Sequence, residues 1–242
     1  MERYTLITGA SSGMGAVCAK QFSNSRRLIM ASENFEALQG VLNGCSNKEH
    51  HLLWHCNFAT ERDKIAQSLT DLIKQHDAVV DEYVHFAGLT KLMPLKTTSI
   101  SAIDTVFNVN TFSIYEIIKA LLKKTNQKAL KRVVLISALV SQRGNEGNSI
   151  YAASKGAINA LTYTMARELA PEVRVNALMP GGILTPMSQN LDPDYLAEYE
   201  RETPLGWGTS QDVVDYVEFL LSDKAKWITG QTIFVDGGRS TK

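Results

Sequence analysis

The chain has 242 residues, 44% of them apolar, and its 25 basic and 25 acidic side chains cancel to zero net charge. That length suits one large domain with a sizeable core, and a neutral balance argues against nucleic acid, whose phosphates need a basic excess. No apolar run reaches the ~18 residues of a membrane span. The three cysteines, Cys18, Cys45 and Cys56, are odd in number and far apart, as expected for reduced thiols of a cytoplasmic protein.

The opening "MERYTLITG" enters an apolar run at once and leaves no room for a signal peptide. Strands are expected at 4–8, 27–31, 51–56, 82–87, 132–137, 173–178 and 231–236. Helical patterns lie between them at 13–24, 33–43, 61–76, 99–124, 149–170 and 211–222. This alternation predicts an α/β fold with a doubly wound, Rossmann-type parallel sheet of seven strands, helices on both faces, and one domain over 1–242. The segment 183–208 stands apart, rich in Pro, Gly and polar residues around the helical run "PDYLAEYERE". An excursion of that length reads as a substrate lid.

The first strand runs into "TGASSGMG", Thr8 to Gly15. A glycine-rich turn between a first strand and a helix is where a dinucleotide pyrophosphate rests on helix N-terminal amides. Gly9 permits the tight turn, Gly13 the approach of the pyrophosphate, and Gly15 close helix–strand packing. The spacing, G-x-x-x-G-x-G, differs from the G-x-G-x-x-G fingerprint. Further along, "HHLLWH" invites a metal reading. On a strand, however, His51 and His55 stand ~13 Å apart at ~3.3 Å per residue, too far to share an ion. The cluster Lys123, Lys124, Lys128, Lys131 and Arg132 reads either as a solvated face or as a landing patch for an acidic carrier protein.

Tyr151 precedes Lys155 by one helical turn in "YAASK". A free phenol has a pKa near ~10, too high for efficient proton transfer at neutral pH. An ammonium one turn away favours the phenolate and so lowers that value. The plain alternative is an exposed Tyr–Lys pair on a helix.

Together "TGASSGMG", "YAASK" and the ending "ITGQTIFVDGG" resemble the short-chain dehydrogenase/reductase family, and within it the 3-oxoacyl-acyl-carrier-protein reductases. The resemblance covers nearly the whole chain in the family's order and spacing. It implies hydride transfer between NAD(P)(H) and a carbonyl or alcohol, with Tyr151 as acid/base and Lys155 as its tuner and ribose anchor. Asn110 in "VFNVNTFSIY" takes the family position of a proton-relay asparagine. The implied cofactor contacts are Gly9, Ser11, Ser12, Gly13, Met14 and Gly15 in the turn, Ser32 after the second strand, and Asn57 and Phe58 at the adenine. Ala87 and Gly88 follow the fourth strand. In "MPGGILTPM", Pro180, Gly181, Ile183 and Thr185 would hold the carboxamide edge.

Two departures stand out. The family's serine, thirteen residues before the tyrosine, is Ala138 here; Ser137 and Ser141 lie nearby but out of register. "YVHFAG" puts His85 and Phe86 where the family has two bracing amides. Neither Ser12 nor "ASEN", with Ser32 and Glu33, offers a cation to a 2′-phosphate, which favours NAD(H). The resemblance also implies a homotetramer or dimer. A dehydrogenase of sugars, polyols or steroids is the rival enzyme reading, and a dinucleotide binder weakened by the missing serine is the rival outside catalysis.

Overall fold

In the computed structural model, which describes residues 1–185 and 193–241 without the side chain of Tyr195, neighbouring residues of each strand feed two separate cores. The first half runs β1 (Glu2–Thr8), α1 (Gly13–Phe22), β2 (Arg27–Ser32), α2 (Phe35–Asn43), β3 (Leu52–His55), α3 (Arg62–Gln75) and β4 (Ala78–His85). Next come α4 (Ile100–Phe107), a π-helical turn (Asn108–Phe112), α5 (Ser113–Leu121), β5 (Arg132–Ile136), a short α6 (Val140–Arg143) and α7 (Ser149–Glu168). The chain then forms β6 (Arg174–Pro180), β7 (Ile183–Leu184), α8 (Pro193–Glu202), β8 (Gly208–Thr209), α9 (Ser210–Leu221) and β9 (Thr232–Val235).

Seven strands form one parallel sheet in the order β3-β2-β1-β4-β5-β6-β9. Ile7, Leu28, Met30, Val134 and Ile136 face one way, onto Cys18 and Phe22 of α1, Leu38 of α2 and Val213 and Val217 of α9. Leu6, Ile29, Ala31, Val133 and Leu135 face the other way, onto Ile65 and Leu69 of α3, Ile114 and Ile117 of α5 and Ile158 of α7. Alternate residues point to opposite faces, so a strand covered on both sides is apolar throughout. Winding reverses between β1 and β4, and the crevice beyond their carboxyl ends is where such sheets bind ligands.

Three expected elements differ. The fourth strand begins at Ala78 rather than at residue 82, because Asp81 and Glu82 break an otherwise apolar run. Glu82 is nonetheless buried: it accepts from Thr5 Oγ1 at 2.7 Å and pairs with Arg26 at 3.0 Å and Arg132 at 3.4 Å. The helix expected over 99–124 is divided by the π-helical turn. The segment 183–208 is pinned at its base by parallel pairing of β7 with β8 and carries α8, while residues 186–192 lie outside the described residues. Among the described residues, no helix is long and apolar enough to cross a membrane.

Candidate active site

The glycine turn leaves β1 and opens α1. Gly9 has φ +66°, and a Cβ there would lie 2.7 Å from the Ala87 amide nitrogen. A Cβ on Gly15 would lie 2.2 Å from the Gly9 carbonyl oxygen. Gly13, at φ +51°, is different: the nearest atom to its Cβ position is the Thr185 methyl at 3.8 Å, so this glycine faces open space. Ser12 is extended and its side chain makes no cap bond, so the first-turn amides of α1 are left for another acceptor. A cavity of ≈ 590 Å³ opens over this turn. Close-packed backbone around a cradle of helix-terminal amides is the shape a dinucleotide pyrophosphate fits.

Of the expected cofactor residues, Ser11, Ser12, Met14, Ser32, Phe58, Ala87, Gly88, Pro180, Gly181, Ile183 and Thr185 border this cavity with the three glycines, Tyr151 and Lys155. Asn57 does not. Its carboxamide accepts from the Ala59 and Thr60 amides at 2.9 and 3.3 Å, closing its own turn, and Cys56 and Ala59 border the cavity in its place. At that end Ser32 Oγ donates to Ser11 Oγ at 2.8 Å and accepts from the Asn34 amide at 3.1 Å, with Glu33 alongside.

Tyr151 and Lys155 lie one turn apart near the start of α7. Lys155 Nζ donates to the Ile136 carbonyl at 2.7 Å and stands 5.7 Å from the centre of the Tyr151 ring. Burial governs both groups, pulling the lysine down to about 7 and pushing the phenol up to about 12. The expected lowering of the tyrosine by its lysine is therefore outweighed, because a desolvated phenolate loses more than a distant, half-neutral amine returns.

Asn110 is buried inside the π-helical turn and does not border the cavity. Its Oδ1 accepts from the Leu89 amide at 2.7 Å, and its Nδ2 donates to the Leu89 carbonyl at 3.0 Å and to Ser154 Oγ at 2.9 Å. Such turns recur at functional sites because they displace backbone groups from the regular ladder. Here the turn clamps the loop after β4 against α7. Gly88 makes the approach possible, since a Cβ on it would stand 3.3 Å from Lys155 Nζ.

The missing amides after β4 are replaced by a different brace. His85 is buried, with Nδ1 2.9 Å from Thr8 Oγ1 and 2.7 Å from Tyr83 Oη, which ties β1 to β4. Burial and then the Lys155 charge push its pKa down to about 3, so the ring is neutral. The missing serine has no such replacement among its neighbours. Ser137 Oγ donates to the Lys155 carbonyl at 2.9 Å, while Ser141 Oγ donates to the Ala138 carbonyl at 2.7 Å and accepts from Asn159 at 2.9 Å.

A second cavity of ≈ 1130 Å³ meets the first at Tyr151 and Ala138. Sequence reasoning placed a lid here but missed the side chains Tyr199, Trp207, Arg143 and Arg239 that wall it. Tyr199 of α8 and Trp207 stack with ring centres 4.2 Å apart, and the Arg239 guanidinium lies 4.6 Å over Tyr199 while pairing with Glu202 at 2.6 Å. Arg143, at the end of α6, donates to the Arg239 carbonyl. Three aromatics within the excursion, Tyr195, Tyr199 and Trp207, were the available signal. His51 and His55 are held by backbone groups instead: the Ser46 carbonyl stands 2.8 Å from His51 Nε2 and the Glu33 carbonyl 2.9 Å from His55 Nε2. The basic cluster lies around the start of β5, at the opposite end of the sheet from the cavities, with Arg132 paired to Glu82 and Asp223.

Comparison with known proteins agrees with this geometry. A family model described as enoyl-(acyl carrier protein) reductase matches residues 9–240. The 3-oxoacyl-[acyl-carrier-protein] reductase of Thermotoga maritima is 32% identical, over 96% of this chain and 96% of its own. A 2,5-dichloro-2,5-cyclohexadiene-1,4-diol dehydrogenase of Sphingobium indicum is 30% identical over 98% and 96% of the two chains. Among solved structures, a glucose/ribitol-type dehydrogenase from Brucella melitensis superposes with TM-score 0.88 at 28% identity, covering 98% of this chain and 96% of that one. A 4-hydroxyisoleucine dehydrogenase holding NADH shares the fold with TM-score 0.91 at 24% identity, covering 99% of each chain. A glycine cradle at the β1–β4 crevice, a Tyr–Lys pair at its mouth and likeness over nearly the full length lead to one conclusion: the chain belongs to the short-chain dehydrogenase/reductase family, the NAD(P)(H)-dependent oxidoreductases.

Proposed function

We propose that this protein, one cofactor-binding domain over 1–242 with a substrate lid near 183–208, interconverts a small carbonyl compound and its alcohol. The observation that carries this reading is the place of Tyr151, which borders both cavities where they meet. The smaller one would hold NAD(P)(H), with the pyrophosphate over Gly13 and the ribose near Lys155. Bound there, the nicotinamide supplies or accepts the hydride. The phenol of Tyr151, protonated at neutral pH, gives its proton to the substrate oxygen in reduction and takes it back in oxidation. A proton on Lys155 favours the phenolate that remains, and Asn110 holds the loop after β4 against the helix that carries both.

Ser32, Ser11 and Glu33 at the adenosine end support NAD(H) over NADP(H), because they offer hydroxyls and a carboxylate but no cation to a 2′-phosphate. Likeness to 3-oxoacyl-carrier-protein reductases supports an acyl thioester as substrate, possible only if the carrier approaches the cavity end of the sheet. The aromatic and charged walls of the larger cavity equally suit a sugar or other polar ring. We further infer a cytoplasmic homo-oligomer. A second reading, a dinucleotide binder with decayed catalysis, is favoured by one observation, the alanine at 138. Turnover of acyl thioesters, sugars and cyclic ketones with both cofactors separates the readings. Wild type should act on one class and Tyr151→Phe on none while binding NADH unchanged. Dinucleotide binding with no turnover in any class would establish the second reading.

A further inference from the structure

A substrate oxygen beside Tyr151 has a second lone pair for a further donor, and among the described residues neither serine flanking Ala138 is free to give one. Ala138 has no hydroxyl, and the Ser137 and Ser141 hydroxyls donate to backbone carbonyls at 2.9 and 2.7 Å. Ser141 borders neither cavity. Asn148, by contrast, borders the larger cavity together with Tyr151 and Ala138. It sits at the N-cap of α7, where an asparagine ordinarily turns its side chain onto the helix amides. Here it makes no cap bond, and its carboxamide has no hydrogen-bond partner among the described residues, although its backbone is engaged with Asn145 and Ala152. Asn148 and Tyr151 line the same cavity from the N-cap and first turn of α7, which puts an unbonded carboxamide on the wall that also carries the phenol.

We propose that Asn148 is a catalytic residue: its carboxamide N–H donates to the substrate oxygen in place of the absent serine. This rests on the carbonyl–alcohol reading above. An amide donor suits the task because it never ionises, so it holds the developing charge at every working pH. Thr90 is the competing donor, since it borders both cavities and its hydroxyl also has no partner among the described residues. It belongs to the loop after β4, whereas Asn148 caps the helix that carries Tyr151, and its carbonyl accepts from the Ala152 amide at 2.8 Å.

The test is a mutant cycle on the full chain, with the best substrate of the wild type. Asn148→Ala should lower kcat by roughly a hundredfold to a thousandfold, the scale of losing one donor to a developing oxyanion. Asn148→Asp keeps the shape and favours the helix N-terminus but has no N–H to give when ionised, so it should lose as much. NADH affinity should stay as in wild type for both. In an Ala138→Ser background the restored hydroxyl should make Asn148→Ala nearly harmless, within about threefold, a non-additivity that mere structural damage would not produce. Equal losses in both backgrounds would overturn the assignment. So would an active wild type whose kcat ignores Asn148, or a cycle in which Thr90→Val takes the place of Asn148→Ala. An inert wild type sinks the parent reading and this one with it, whereas an active wild type indifferent to Asn148 sinks this one alone.

Discussion

Lys155 and the three turn glycines are single residues whose surroundings set measurable properties. The folded chain holds Lys155 at about 7, whereas an exposed lysine titrates near ~10.4. Between those values the unfolded chain carries a proton that the folded chain lacks, so stability rises with pH from about 7 to about 10. Tyr151, pushed up to about 12, acts in the opposite sense only above ~10, but the thiols of Cys18, Cys45 and Cys56, all raised by burial, do so from ~8.5. Cofactor-free protein should therefore resist urea better at pH 8 than at pH 7, and Lys155→Met should flatten that rise. Identical pH profiles for the two proteins would refute the burial account. The glycines separate in the same way. Gly15→Ala places a methyl 2.2 Å from a carbonyl oxygen and should destabilise the fold by about 1–3 kcal/mol. Gly13→Ala meets nothing closer than 3.8 Å; it should cost about 1–2 kcal/mol through its left-handed backbone and mainly abolish NADH binding. Melting curves and calorimetry on both variants distinguish these outcomes, and wild-type affinity in Gly13→Ala would move the phosphate site elsewhere.

At the scale of elements, side chains do work that regular pairing leaves undone. β4 pairs with β5 only from Glu82 onward, so Val80 lacks a strand partner on that side. Asn126 supplies one: its Oδ1 accepts from the Val80 amide at 2.6 Å, and its Nδ2 donates to the Val80 and Leu121 carbonyls at 2.9 and 3.0 Å. Asn126→Ala strands those buried groups and should lower unfolding free energy by about 2–3 kcal/mol, with loss below about 0.5 kcal/mol arguing that water replaces the amide. The same kind of substitution marks where the sequence was legible. Strands such as 27–31 and 132–137 were readable because two apolar faces leave an unbroken run. The start of β4 was not, since its buried Glu82 is neutralised by Arg26 and Arg132, distant in the chain. The break in the helix expected over 99–124 left no composition signal, because a π-helical turn shifts hydrogen bonds and not residue types. At the candidate site, the glycines, Tyr151, Lys155 and the lack of a hydroxyl at Ala138 were legible through the family resemblance, which aligns them in order. The unbonded carboxamide of Asn148 was not, because an asparagine before a helix ordinarily reads as a cap.

Over the whole molecule, the sheet ends at β9, which pairs with β6 on one side only. An open strand edge exposes unpaired amides and carbonyls, and proteins cover it, charge it or keep it short. β9 is short, yet it carries exposed aromatics: Phe234 lies within it and is 42% exposed, and Tyr163, 47% exposed, meets Thr232 Oγ1 at 2.9 Å. A second copy of the chain, related by a two-fold axis, would cover this patch with its own equivalent, which fits the proposed homo-oligomer. Zero net charge leaves no long-range repulsion against that association. Sedimentation at micromolar concentration should therefore give a dimer or larger species. Phe234→Lys, which places a charge on this edge without touching either cavity, should shift it towards monomer while leaving NADH affinity within about twofold. A wild type that sediments as a monomer would show that the edge stands uncovered. A Phe234→Lys oligomer unchanged in size would place the contact on another face.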